Sequence, residues 1–226
     1  MFYFDPLYFV IVLPGFLLAL WAQAKVRGAY KKYTQIPNSR QLTGLAAAQQ
    51  LIPALGLNNL NVEGTPGELS DHYDPRSKTL RLSQGVAREP SIASVAIVSH
   101  ELGHAMQDAT GYGPLKLRSA IVPAVQVSPM IAYALFMAGF IFSSPSLTNI
   151  GILFFGVTVL FSLITLPVEF DASRRGLKML ESNSLLTVNE MDGAKAVLRA
   201  AALTYVAAAV QALLTLLYLL SRSRRR

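Results

Sequence analysis

The chain contains no cysteine. That excludes disulfide bonds and thiolate metal ligands, and it removes any redox clue to compartment. A zinc ion would have to be held by imidazole and carboxylate alone. Histidine is scarce too, with 3 in 226 residues. Charge is thin: 15% of residues are Asp, Glu, Lys or Arg against 52% hydrophobic, and the mean hydropathy is +0.40. That balance excludes an ordinary soluble domain and points to a membrane protein. No internal repeat is visible, and the arginine-rich C-terminus is the one biased tract.

What the chain does have is four long apolar runs, at residues 3–22, 120–142, 147–168 and 203–220. Each is about 18 to 23 residues, enough to cross a hydrocarbon layer of about 30 Å as a helix. The start of the first run carries Asp5 and no Lys or Arg, while Lys25 and Arg27 follow it. This fits an uncleaved anchor rather than a signal peptide. The net charge of +7 is placed as topology, not as a nucleic-acid surface. Lys25, Arg27, Lys31, Lys32 and Arg40 follow the first run. Lys116 and Arg118 precede the second, and Arg174, Arg175 and Lys178 follow the third. If every run spans, all lie on one side, which the positive-inside rule makes the cytoplasm. The tail Arg222 to Arg226 opposes that vote and reads as a segment drawn to anionic headgroups.

Two segments, 26–118 and 169–200, then share the cytoplasmic side. In the first, Asn38 or Ser39 is expected to cap a helix that Pro53 and Gly56 close. The hydrophobic period then changes to two. Val62, Leu69, Leu80 and Leu82 read as short strands separated by the turn sequences TPGE and DPRSK. The expected fold is a mainly α membrane protein with about four transmembrane helices. Its small cytoplasmic α+β zincin-like module comprises a short antiparallel sheet leading into one further helix.

That helix carries His100-Glu101-Leu102-Gly103-His104. Ile92, Val95, Ala96, Ser99 and Met106 continue its apolar stripe, and Gly111, Gly113 and Pro114 end it. Positions i and i+4 share a face, so both imidazoles can reach one metal ion, and Glu101 can take a proton from water on it. A lone histidine would read as a satisfied core residue; two with the intervening Glu do not. A catalytic zinc has three protein ligands and a water. The third is open from the residues alone. Glu169 in LPVEFDASRRG competes with Asp171 and with His72 in LSDHYD. The plain alternatives are a carboxylate paired with Arg174 or Arg175, and a His72 that caps its own turn. HELGHAMQDATGYG lacks the later histidine of a metzincin. A helix from Pro167 puts Glu169, Ala172, Ser173 and Gly176 on one small-residue face able to pack near Gly103. Asp171 points about 200° from Glu169 on it, where it would orient a ligand from behind. His72, Tyr73 and Arg174 are candidate oxyanion donors, and the strand Thr79–Ser83 is a candidate surface for an added substrate strand.

HELGHAMQD, LPVEFDASRRG, SDHYDPRSKTLRLS and AALTYVAAA together resemble the YugP-like family of bacterial membrane zinc metallopeptidases, which is similar to the HtpX-type membrane gluzincins. The resemblance covers nearly the whole chain. It implies a multi-pass protein of the bacterial cell membrane. One zinc per chain would be bound by His100, His104 and Glu169, with Glu101 catalytic and a peptide or membrane protein as substrate. Ser173 stands where the HtpX-type relatives carry Asp, and Asp171 is the substitute for a supporting role. The expected partners are substrate and lipid bilayer, with no nucleic acid; the sequence does not give the oligomeric state. A transporter would need polar residues deep in the spans, and Gln126, Ser128, Thr158, Ser162 and Gln211 are few. A zinc-binding scaffold or quality-control subunit without turnover is the alternative to an enzyme.

Overall fold

In the computed structural model, residues 6–224 are described. Residues 3–5 of the first apolar run and Arg225 and Arg226 of the tail lie outside them. The chain is mostly helical, with seven helices and three strands among the described residues: α1 (Pro6–Thr34), α2 (Gly44–Ala54), β1 (Asn61–Thr65), β2 (His72–Asp74), β3 (Thr79–Ser83), α3 (Gln84–Arg88), α4 (Ile92–Ala109), α5 (Gly113–Ile141), α6 (Pro145–Ser182) and α7 (Val188–Arg224). Four of these, α1, α5, α6 and α7, are long and apolar enough to cross a membrane. Two compact units divide the chain. One holds residues 1–23, 116–166 and 204–226; the other holds 24–115 and 167–203.

In the first unit, small residues let helices touch. A Cβ on Gly151 of α6 would lie 2.9 Å from the Ala132 carbonyl of α5, and a Cβ on Gly15 of α1 would lie 2.5 Å from Oε1 of Gln211 on α7. Close approach through small residues is how apolar helices pack where lipid offers no hydrophobic contrast.

The second unit has its own core. Leu51 of α2, Leu80 and Leu82 of β3, Val86 of α3, Val95, Val98 and Leu102 of α4, and Leu180 and Leu198 of α6 and α7 are fully or almost fully buried. The sheet differs from the antiparallel one expected. Its order is β1-β3-β2, with β2 antiparallel and β1 parallel to β3. The DPRSK turn does make a hairpin of β2 and β3. The chain between β1 and β2 carries β1 to the far side of β3, so the first strand runs alongside the third. Leu69 lies in that connection, not in a strand, with φ of 54°. Because β3 is the middle strand, both its edges are already paired. Thr79–Ser83 therefore cannot take an added strand, and the edge beside α4 is β2.

Helix caps also depart from expectation. Thr43 caps α2, its hydroxyl accepting from Ala46 N at 3.1 Å. Asn38 is fully buried and pins the preceding loop instead. Its Nδ2 donates to Leu42 O at 2.7 Å, and its backbone N donates to Pro90 O at 2.9 Å. Ser91 caps α4 by accepting from Ser94 N, and Gly111 follows the helix with φ of 67°.

Two glycines set α4 against α6. A Cβ on Gly103 would stand 2.3 Å from the carbonyl oxygen of Ala172, and one on Gly176 would stand 2.8 Å from that of Ser99. The face Glu169–Ala172–Ser173–Gly176 thus meets α4 backbone to backbone. Gly103→Ala should cost about 1–3 kcal/mol of stability by overpacking. Gly28→Ala, where nothing lies within 4 Å on an exposed helical turn, should gain about 0.5–1 kcal/mol. Thermal unfolding in detergent compares the two, and equal midpoints for Gly103→Ala and wild type would contradict so tight a contact.

Candidate metal centre

The glycine contact brings Glu169 to the face of α4 that carries both histidines. Glu169 Oε2 lies 3.3 Å from His100 Nε2 and 3.4 Å from His104 Nε2. Glu169 is 2% exposed, so its carboxylate belongs to this interior. The two imidazoles stand edge to face with centroids 4.8 Å apart, and one ligand atom from each of the three residues falls within 4.8 Å of the others. A tetrahedral zinc with bonds of 2.0–2.1 Å needs neighbouring ligand atoms about 3.3–3.4 Å apart. The two separations to Glu169 meet that length. Two nitrogens and one carboxylate oxygen are also a donor set that zinc accepts. The residues fit the ion.

Glu101 sits on the adjoining side of α4, 8% exposed. Tyr73 N of β2 donates to its Oε2 at 2.9 Å, so that N–H points away from β3, along the outer edge of the sheet. Burial pushes the Glu101 carboxyl above its ordinary range, against the pull of the neighbouring imidazoles. Burial alone would lower the His104 pKa, but Glu169 and Glu101 outweigh it, and the net direction is upward.

Each histidine has a partner on its other ring nitrogen. Ser173 Oγ is 3.1 Å from His100 Nδ1, and Gln107 Oε1 is 3.0 Å from His104 Nδ1. Gln107 was not marked by the sequence. Its signal was a polar side chain on the buried stripe of α4, three residues past His104. Its Nε2 donates to Val168 O at 2.8 Å and to Asp171 Oδ2 at 3.0 Å. Asp171 is therefore one step removed from the histidine, on the opposite side of its helix from Glu169, and is gripped by Arg174 and by Arg175 Nε at 2.6 Å. The carboxylate clasped by Arg174 and Arg175 is Asp171.

The remaining sequence candidates fall elsewhere. His72 is exposed on β2, outside the three-residue group, and its Nδ1 meets Ser70 O at 2.8 Å. The Tyr73 hydroxyl donates to Asp108 Oδ2 at 2.5 Å, and Lys78 engages the same carboxylate. Burial and the Asp108 contact both hold the Tyr73 phenol above its usual range. Arg174 turns to Asp171, with 79% of its side chain exposed. Neither hydroxyl nor guanidinium is directed at the three-residue group.

The chain's relatives agree with this chemistry. Residues 8–224 match the family described as "Putative neutral zinc metallopeptidase", and the chain belongs to that family. It is 41% identical over 211 residues, 93% of this chain and 94% of the relative, to a Bacillus subtilis (strain 168) protein named "Putative membrane protease YugP". No solved structure matches.

Zinc affinity separates the candidate ligands. Glu169→Ala should weaken binding by well over about 100-fold, the upper end of what supporting residues show, while Asp171→Ala should cost about 10-fold. His72→Ala should leave it unchanged. Titration against a chromophoric chelator reads all three, and a dominant loss for His72→Ala would mean a three-histidine site.

Proposed function

We propose that the protein is an integral-membrane zinc endopeptidase of the gluzincin type, with one zinc held by His100, His104 and Glu169 and with Glu101 as general base. The observation that carries this reading is the convergence of those three side chains beside a buried Glu101. A bound zinc supplies a Lewis acid that polarises the scissile carbonyl and lowers the pKa of a coordinated water towards about 7. Glu101 does the proton work. Its carboxylate oxygen takes the proton of the attacking water and passes it to the leaving amine, so that no net proton is consumed. Tyr73 N–H holds that carboxylate on the substrate side of α4.

The substrate is a peptide or membrane protein, and the lipid bilayer is the protein's other partner; nucleic acid is not. The active side is cytoplasmic in this reading. Support comes from the basic residues Lys25 to Arg40, Lys116, Arg118 and Arg174 to Lys178, which flank three apolar runs on one side. A zinc-binding scaffold without turnover shares the ligands but has no use for Glu101.

Two experiments test this. Glu101→Gln should keep stoichiometric zinc and lose about 10²–10⁴-fold in peptide hydrolysis. Zinc content and peptidase rate are measured on the same preparations, and an active Glu101→Gln protein would refute the mechanism. For orientation, Ser77→Cys puts one thiol on an exposed turn of a chain with no cysteine. It should resist a membrane-impermeant thiol reagent in intact cells and react after lysis; labelling of intact cells reverses the topology.

A further inference from the structure

Gln107 is completely buried, and its amide has no freedom in which end faces which partner. A carboxamide offers two donors at nitrogen and only acceptor capacity at oxygen. Its nitrogen lies against Val168 O and Asp171 Oδ2. The first is a backbone carbonyl and accepts only. The second belongs to a carboxylate clasped by two arginines, and it accepts as well. Turning the amide over would press its oxygen against two acceptors in a buried place, with no hydrogen between it and either of them. The nitrogen must therefore face Val168 and Asp171, and the oxygen must face His104 Nδ1. Since that oxygen carries no hydrogen, Nδ1 must carry one. In the neutral ring, Nε2 then keeps its lone pair, and Nε2 is the atom beside Glu169.

We infer that Gln107 is a positioning residue that fixes His104 as its Nδ1–H tautomer and so presents Nε2 to the metal. The proposal rests on His104 being a ligand. Asp171, with Arg174 and Arg175, is the clamp that fixes the amide. The inference extends to an asymmetry between the two histidines. His100 Nδ1 meets the hydroxyl of Ser173, which can donate or accept. Ser173 leaves the His100 tautomer to the metal, whereas Gln107 sets that of His104 beforehand.

Gln107 also ties α4 to the backbone of α6, so a purely structural role is the competing explanation. Two variants of similar size divide the roles. Gln107→Glu keeps an oxygen for Nδ1–H but loses the donors to Val168 and Asp171. Gln107→Met loses both. Three measurements are made: zinc affinity by chelator competition, thermal unfolding of the metal-free protein, and ¹⁵N shifts of His104 in the metal-free protein at a pH where the ring is neutral. Both variants should lower the metal-free unfolding midpoint, Gln107→Glu the more because it sets a carboxylate against Val168 O and Asp171. Gln107→Met should weaken zinc about 10–100-fold, while Gln107→Glu should bind it as tightly as wild type or a few-fold tighter. The shifts should report Nδ1–H alone in wild type and a mixture of tautomers in Gln107→Met. Zinc affinities that fall together in step with stability, or a wild-type ring protonated at Nε2, would overturn the proposal. A wild-type protein that binds no zinc would instead sink the metal-centre reading, and the metal-free shifts would still judge Gln107 itself.

Discussion

Everything at the candidate centre depends on how closely α4 and α6 approach. The carbonyl of Ala172 occupies the space a side chain on residue 103 would need, and the carbonyl of Ser99 does the same for residue 176. With two backbones in contact, a glutamate of ordinary reach can meet two imidazoles of the facing helix. A methyl group at either glycine would widen the gap by a sizeable fraction of a metal–ligand bond. Because interiors are close-packed, such a displacement is not absorbed by neighbours. The small residues are therefore as much a part of the centre as the groups that point into it.

How much of this could be read from the chain varies with the range of the interaction. The histidine pair and Glu101 follow from helical periodicity over a few residues. The facing helix was legible because Ala172, Ser173 and Gly176 form a small stripe next to Glu169, and its closeness to Gly103 followed from size alone. The four apolar helices were legible from composition. Strand direction was not: whether β1 runs with or against β3 is settled by a connection through Leu69, whose backbone adopts a left-handed conformation that its side chain does not advertise. Asn38 looked like a cap because its residue type favours caps, but burial recruited it to hold a loop. Gln107 shows the same limit. A polar residue on an apolar stripe signals that something satisfies it, but not which three partners do so.

The sheet contributes less by its size than by where it ends. β2 is three residues long, yet it is tied to α4 at two points through one residue, Tyr73, whose backbone N–H reaches Glu101 and whose hydroxyl reaches Asp108. A strand fixed at both levels is stiff in spite of its length, and that stiffness holds Glu101 in one place beside the histidines.

The company kept by the two histidines also bears on metal retention. One leans on an amide and the other on a hydroxyl, and both partners are neutral. A carboxylate in either place would feed negative charge into the ring and tighten its hold on a cation. In the proposed ligand set only Glu169 is charged, so a dication bound there would keep a net positive charge among its direct ligands. Such a centre would pull harder on the electrons of whatever it touched, but would let go of its ion more readily. Occupancy in the cell would then track the concentration of exchangeable zinc, and the protein's working state would be set by metal supply as much as by encounter with substrate.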